Sequence, residues 1–136
     1  MRTIKEIIIH CADTPEGRDD KAADIDRWHK QRGFDRIGYH YVIDLDGTIE
    51  AGRELDCIGA HCKGHNTNSI GICYIGGADR DTLKPKDTRT DEQKASLLLL
   101  LKYLRQRYPY AKIYGHRDFS DKPCPSFDAK KEYENI

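Results

Sequence analysis

"YHYVIDLDGTIEAG", residues 39–52, carries the signal that decides the sheet. Two apolar runs flank Asp46-Gly47, and an Asp-Gly pair in that setting is a strong hairpin signal. Working outward, "IKEIIIH" (4–10) is a short β-branched run that reads as a buried strand, and "SIGICYIGG" (69–77) reads as another, ended by its two glycines. "AKIYGH" (111–116) is the last strand. Strands interleaved with two longer helices, one pair of them a hairpin, predict an α/β fold. Its expected form is one central mixed sheet flanked by helices, with residues 1–136 as a single domain.

The first helix is expected over 19–33, capped by Asp19 or Asp20 and ended by Gly33. The second, over 90–108, has Thr90 as N-cap and Gln93 completing a capping box. Leu97, Leu98, Leu101 and Leu104 are expected along its core face. Residues 78–90 read as a loop and "DAKKEYENI" as a short terminal helix, while Trp28, at helical spacing, reads as core.

Composition excludes several functions. Lys plus Arg and Asp plus Glu number 23 each, so no overall field attracts nucleic acid or an anionic membrane. The longest apolar run, Leu97–Leu101, falls far short of the ~20 residues a membrane span needs, so no membrane insertion is expected. The N-terminal "MRTIKEIIIH" lacks a secretory signal's long apolar stretch and cleavage site, which predicts a protein that is cytoplasmic on synthesis. Five cysteines at irregular spacing are then expected as thiols. A balanced charge makes a monomer the default expectation.

The chemistry gathers in "GHRDFSDKPCPSFD", residues 115–128. Pro123 and Pro125 stiffen the backbone around Cys124. His10 and His116 each end a strand, where functional groups often sit. With Cys124 they can make a two-histidine, one-cysteine zinc site that leaves a fourth position for water. On residue type alone the same histidines equally read as hydrogen-bonded imidazoles, and Cys124 as a small buried hydrophobe. His61 and His65 fall in a Gly- and Asn-rich loop. His61 reads as a substrate contact or as a neighbour orienting the metal ligands. Asn66 and Asn68 either bind sugar or peptide amides or shape the turn. Cys11 is expected to point to the opposite side of its strand from His10 and to serve packing.

Four ordered blocks then carry a resemblance: "IIIHCADT", "DIDRWHKQRGFDRIGYHYVIDLDGTIEAGR", "IGAHCKGHNTNSIGICYIGG" and "GHRDFSDKPCPSFD". The chain resembles the zinc-dependent N-acetylmuramoyl-L-alanine amidases of the type-2 family, which share their fold with the peptidoglycan recognition proteins. Within that family it is similar to the small amidase-type lysozymes of the T-odd coliphages. The resemblance implies one zinc ion held by His10, His116 and Cys124, with Tyr39 beside the metal and Lys122 needed for hydrolysis. Read without it, Tyr39 is also an ordinary half-buried strand tyrosine and Lys122 a solvated turn lysine.

The implied substrate is peptidoglycan, cut between N-acetylmuramic acid and L-alanine. Zinc can polarise an amide carbonyl and bring the pKa of a bound water to ~7, and Tyr39 and Lys122 are natural donors to the charge that develops. A wall substrate and a cytoplasmic origin together imply a phage or prophage endolysin released by a membrane-permeabilising partner such as a holin. Four other readings stay open: a recycling enzyme acting on wall fragments, a peptidoglycan-binding module that does not cut, a thiol amidase or peptidase with Cys124 as nucleophile and His116 as base, and a regulatory interaction protein, to which no sequence feature is assigned.

Overall fold

The computed structural model describes residues 1–136, and its organising element is strand β1 (Glu6–Cys11). Ile7, Ile8 and Ile9 are all fully buried because β1 lies at the interior of the sheet, with both of its faces covered. It pairs in parallel with β5 (Ser69–Tyr74) on one side and with β7 (Lys112–Gly115) on the other. A strand covered on both faces reads as a continuous apolar run, not as an alternation. Strand β3 (Tyr41–Ile43) is parallel to β5, and β4 (Ile49–Ala51) is antiparallel to β3, giving the order β4-β3-β5-β1-β7. The expected mixed sheet is therefore present, and its one antiparallel pair is the hairpin of residues 39–52. The turn closes through Gly47 N–H to the Asp44 carbonyl, and Gly47 takes φ +88°, a left-handed value that favours glycine.

A second, two-stranded parallel sheet joins β2 (Thr14–Pro15) to β6 (Gly77–Ala78). It corrects the strand expected over 69–77. The main-sheet strand stops at Tyr74, and Gly76 and Gly77, both at positive φ, redirect the chain so that Gly77 opens β6.

Helix α2 (Asp91–Arg107) covers one face of the sheet with the expected capping box: Thr90 Oγ1 accepts from Gln93 N–H, and Gln93 Oε1 accepts from Thr90 N–H. Leu97, Leu100, Leu101 and Leu104 are buried against Ile7, Ile9, Ile70 and Ile72. Leu98, expected in that stripe, is 38% exposed, and Leu100 replaces it. The spacing i, i+3, i+4, i+7 counted from Leu97 selects residues 100, 101 and 104.

Helix α1 (Ala22–Gln31) packs Ile25 on the other face against Ile37, Val42, Cys73 and Ile75, with the half-buried Trp28 beside them. Its N-cap is Lys21, not Asp19 or Asp20. Two carboxylates satisfy this end, one from the helix's own first turn and one from β4: Lys21 N–H donates to Asp24 and Ala22 N–H donates to Glu50. Gly33, at φ +98°, follows the helix as expected. The terminal helix α3 is only Ala129–Glu132. The buried Arg89 clamps this segment, donating to both carboxylate oxygens of Glu132 and to the Tyr133 hydroxyl while lying 3.4 Å over the Phe127 ring. All five cysteines are free thiols, and no helix is long and apolar enough to cross a membrane.

Candidate metal centre

Strand register brings the two histidines together. The last paired residues of β1 and β7 are Ile9 and Gly115. His10 and His116 each come one residue later, so they lie side by side with ring centroids 4.6 Å apart. Past β7 the chain turns at once through a short 3-10 turn, His116–Asp118, in which the Asp118 carboxylate accepts from Gly115 N–H.

Cys124 arrives from the loop that follows, and that loop is fixed at four points. Arg117 N–H donates to the Cys124 carbonyl at 2.7 Å, and the buried Tyr74 hydroxyl to the Pro125 carbonyl at 2.6 Å. Ser126 Oγ donates to the Gly77 carbonyl at 3.1 Å, and Cys11 N–H to Cys124 Sγ at 3.2 Å. One ligating atom from each of His10, His116 and Cys124 then lies within 4.8 Å of the others.

The electrostatics suit a cation. Burial holds the His10 imidazole well below its ordinary pKa, and burial followed by the Lys122 charge lowers His116, so both rings are neutral with a lone pair to offer. The neighbouring Cys11 thiol, and burial after it, push Cys124 up. A metal would therefore displace a proton from that sulfur. Two imidazoles and one sulfur form a zinc-type donor set with room for a fourth ligand, and these residues fit the metal that the sequence implies.

Cys11 packs in the core as expected, and it also lines the cleft beside Cys124, whose sulfur its backbone N–H meets.

The cleft has a volume of about 740 Å³. Tyr39 lines it, with its ring 5.0 Å from that of His10, and burial raises its pKa well above the ordinary value, so the hydroxyl keeps its proton. Lys122 lines it from the exposed loop before Cys124. His61 forms part of the wall and reaches His10, with Nδ1 2.8 Å from His10 Nε2, and burial lowers its pKa to about 3.

Asn66 is at the cleft, but its side-chain oxygen is engaged by the N–H groups of His61 and Cys62, so it shapes this loop. Asn68 lies outside the cleft and donates to the Thr3 carbonyl. His40 is buried behind His61, accepting from Gly71 N–H and donating to the Cys57 carbonyl. His65 stacks on Phe119 and bonds Glu6. Sequence reasoning missed one wall altogether: His29, Arg32 and Phe34, at the end of α1 and just beyond it. The buried His29 accepts from Gly38 N–H, next to Tyr39, and no local motif marks it.

A sheet that ends in two histidines, a sulfur on a braced loop and an open cleft define the class of protein, a hydrolase built around a candidate metal centre. The chain belongs to the N-acetylmuramoyl-L-alanine amidase family, whose model matches residues 1–127. It is 41% identical over 128 residues to the endolysin of Escherichia phage T7, covering 94% of this chain and 84% of that one. Its fold is similar to the N-acetylmuramoyl-L-alanine amidase LysC from Clostridium intestinale URNW, with a TM-score of 0.81 and 30% identity over 96% of this chain and 82% of that one. It is also similar to Drosophila PGRP-LB, with a TM-score of 0.81 and 26% identity over 99% of this chain and 82% of that one. The protein is a peptidoglycan amidase, acting on the bond between N-acetylmuramic acid and L-alanine.

Proposed function

We propose that this amidase works with a single zinc ion held by His10, His116 and Cys124, and that Tyr39 and Lys122 are its catalytic residues. The observation that carries the reading is the convergence of two imidazoles and one thiol within 4.8 Å, with His116 and Cys124 lining the cleft and His10 buried beside them. When bound, the ion supplies Lewis acidity, which polarises the amide carbonyl and makes water a nucleophile at neutral pH. The residues do the rest. Tyr39 holds a proton on Oη and donates it as a hydrogen bond toward the oxygen where negative charge develops. Lys122 brings a positive charge to the rim of the same cleft, where it stabilises that charge. His10 and His116 stay neutral and serve as ligands, so neither is assigned as general base.

The biological role proposed is endolysin-type cell-wall lysis, with peptidoglycan as the macromolecular partner, a monomeric enzyme, and release from the cytoplasm by a holin-like protein. What supports it is the likeness to the phage T7 endolysin along nearly the whole chain. The test measures zinc content and stem-peptide release from purified sacculi for the wild type and Cys124→Ser. Zinc and release should both be present in the wild type and both be lost in the variant. Release by metal-free wild type would overturn the zinc reading and favour Cys124 as nucleophile.

A further inference from the structure

His10 has two ring nitrogens, and the hydrogen bonds around it decide which of them can meet a metal. Nε2 lies 2.8 Å from His61 Nδ1, with the two rings nearly perpendicular at 89°. The other nitrogen of His61, Nε2, lies 3.2 Å from the hydroxyl oxygen of the buried Ser69. Ser69, His61 and His10 thus form a short chain of hydrogen bonds that ends on a candidate ligand.

The protein builds a fixed seat for the middle ring. A Cβ at Gly71 would come within 2.6 Å of the His61 ring, and one at Gly59 within 2.7 Å, so both positions leave space that only glycine provides. The His61 backbone is held by the Asn66 side chain, which accepts from its N–H at 2.9 Å. Gly71 is itself tied to His40, whose Nδ1 accepts from its N–H at 3.0 Å.

A neutral imidazole carries one proton, so this chain of bonds can run in only two directions. If Ser69 donates to His61, then His61 Nδ1–H donates to His10 Nε2, and the His10 proton sits on Nδ1. That direction leaves His10 with no lone pair facing away from His61. In the opposite direction His10 Nε2–H donates to His61, His61 Nε2–H donates to Ser69, and His10 Nδ1 is bare. Only this second direction leaves a ligand.

We propose that His61 is a positioning residue for the metal centre: by accepting from His10 Nε2–H it fixes the tautomer in which His10 Nδ1 is the ligating nitrogen, and Ser69 fixes the tautomer of His61. The inference rests on the zinc reading above and adds which nitrogen binds and what holds it. Nothing in it requires His61 to touch the substrate.

The test uses zinc as the probe. Chelator competition gives the zinc affinity of the wild type, His61→Ala and His61→Asn, and long-range nitrogen-15 correlation spectra report which His10 nitrogen carries the proton. The expected loss of zinc affinity in His61→Ala is about 10- to 100-fold. His61→Asn should recover most of it, because the amide oxygen can stand where Nδ1 accepts. The wild-type spectrum should show His10 protonated on Nε2, a readout that needs no variant to fold. Unchanged affinity in a folded His61→Ala, or zinc on His10 Nε2, would overturn the proposal while leaving the zinc reading intact. A wild type that takes up no zinc would bring down both.

Discussion

The sulfur of Cys124 accepts a hydrogen bond from the backbone N–H of Cys11, the residue that follows His10, at 3.2 Å. This single contact ties Cys124 to the end of the strand that carries His10, 114 positions earlier in the sequence, so two candidate ligands share one anchor. Serine at 124 would keep a weak acceptor for that N–H but lose the soft ligand. Cys124→Ser should fold with a melting temperature close to the metal-free wild type and bind little zinc, as read by metal analysis after gel filtration. Full zinc content in the variant would show that the sulfur is not a ligand.

Tyr39 and Lys122 are assigned to charge that develops during the reaction, not to metal binding. Tyr39→Phe and Lys122→Met should each lower the hydrolysis rate by about 100- to 1000-fold. Zinc content should stay at the wild-type level in both. Turnover measured beside metal content separates this from a ligand role, in which the two would fall together.

Asp44 gives a prediction about pH. Its side chain is 4% exposed, its Oδ1 lacks a hydrogen-bond partner, and burial followed by the nearby Glu50 carboxyl raises its pKa to about 7. Unfolded Asp titrates near ~3.9. The folded chain therefore binds this proton more tightly than the unfolded chain, and the group costs stability increasingly as pH rises from ~4 to about 7. Asp44→Asn keeps the shape without the charge. Its melting temperature should match the wild type near pH 4 and exceed it at pH 8 by on the order of 2–5 °C. An equal difference at both values would remove Asp44 as the cause.

The leucine run of α2 makes a packing prediction. Leu101 is fully buried, whereas Leu98 is 38% exposed. Leu101→Ala should cost about 2–5 kcal/mol in a denaturant titration. Leu98→Ala should cost well under half of that, since surface changes typically stay near ~0.5 kcal/mol.

Much of this was legible because several signals were local. The Asp46-Gly47 turn, the Thr90–Gln93 capping box and the β-branched runs report on their own neighbourhoods. The candidate triad was drawn from residue types in a family order, and the sheet register makes His10 and His116 adjacent. What stayed hidden depends on contacts distant in sequence. Lys21 can be an N-cap because Glu50, on a different strand, completes the first turn of α1. In a run of five leucines several helical stripes can be drawn, and the structure selects the one counted from Leu97, which buries Leu100 and leaves Leu98 out. The His29 wall has no sequence pattern, and the two readings of His61 could not be told apart in the sequence, because the 2.8 Å approach of a loop histidine to His10 on β1 depends on residues 51 positions apart.

The most direct measurement is anomalous diffraction at the zinc absorption edge from crystals grown with zinc. One peak should appear, ~2.0–2.3 Å from a nitrogen of His10, a nitrogen of His116 and the Cys124 sulfur. No peak there, or a peak that leaves Cys124 unligated, would contradict the account.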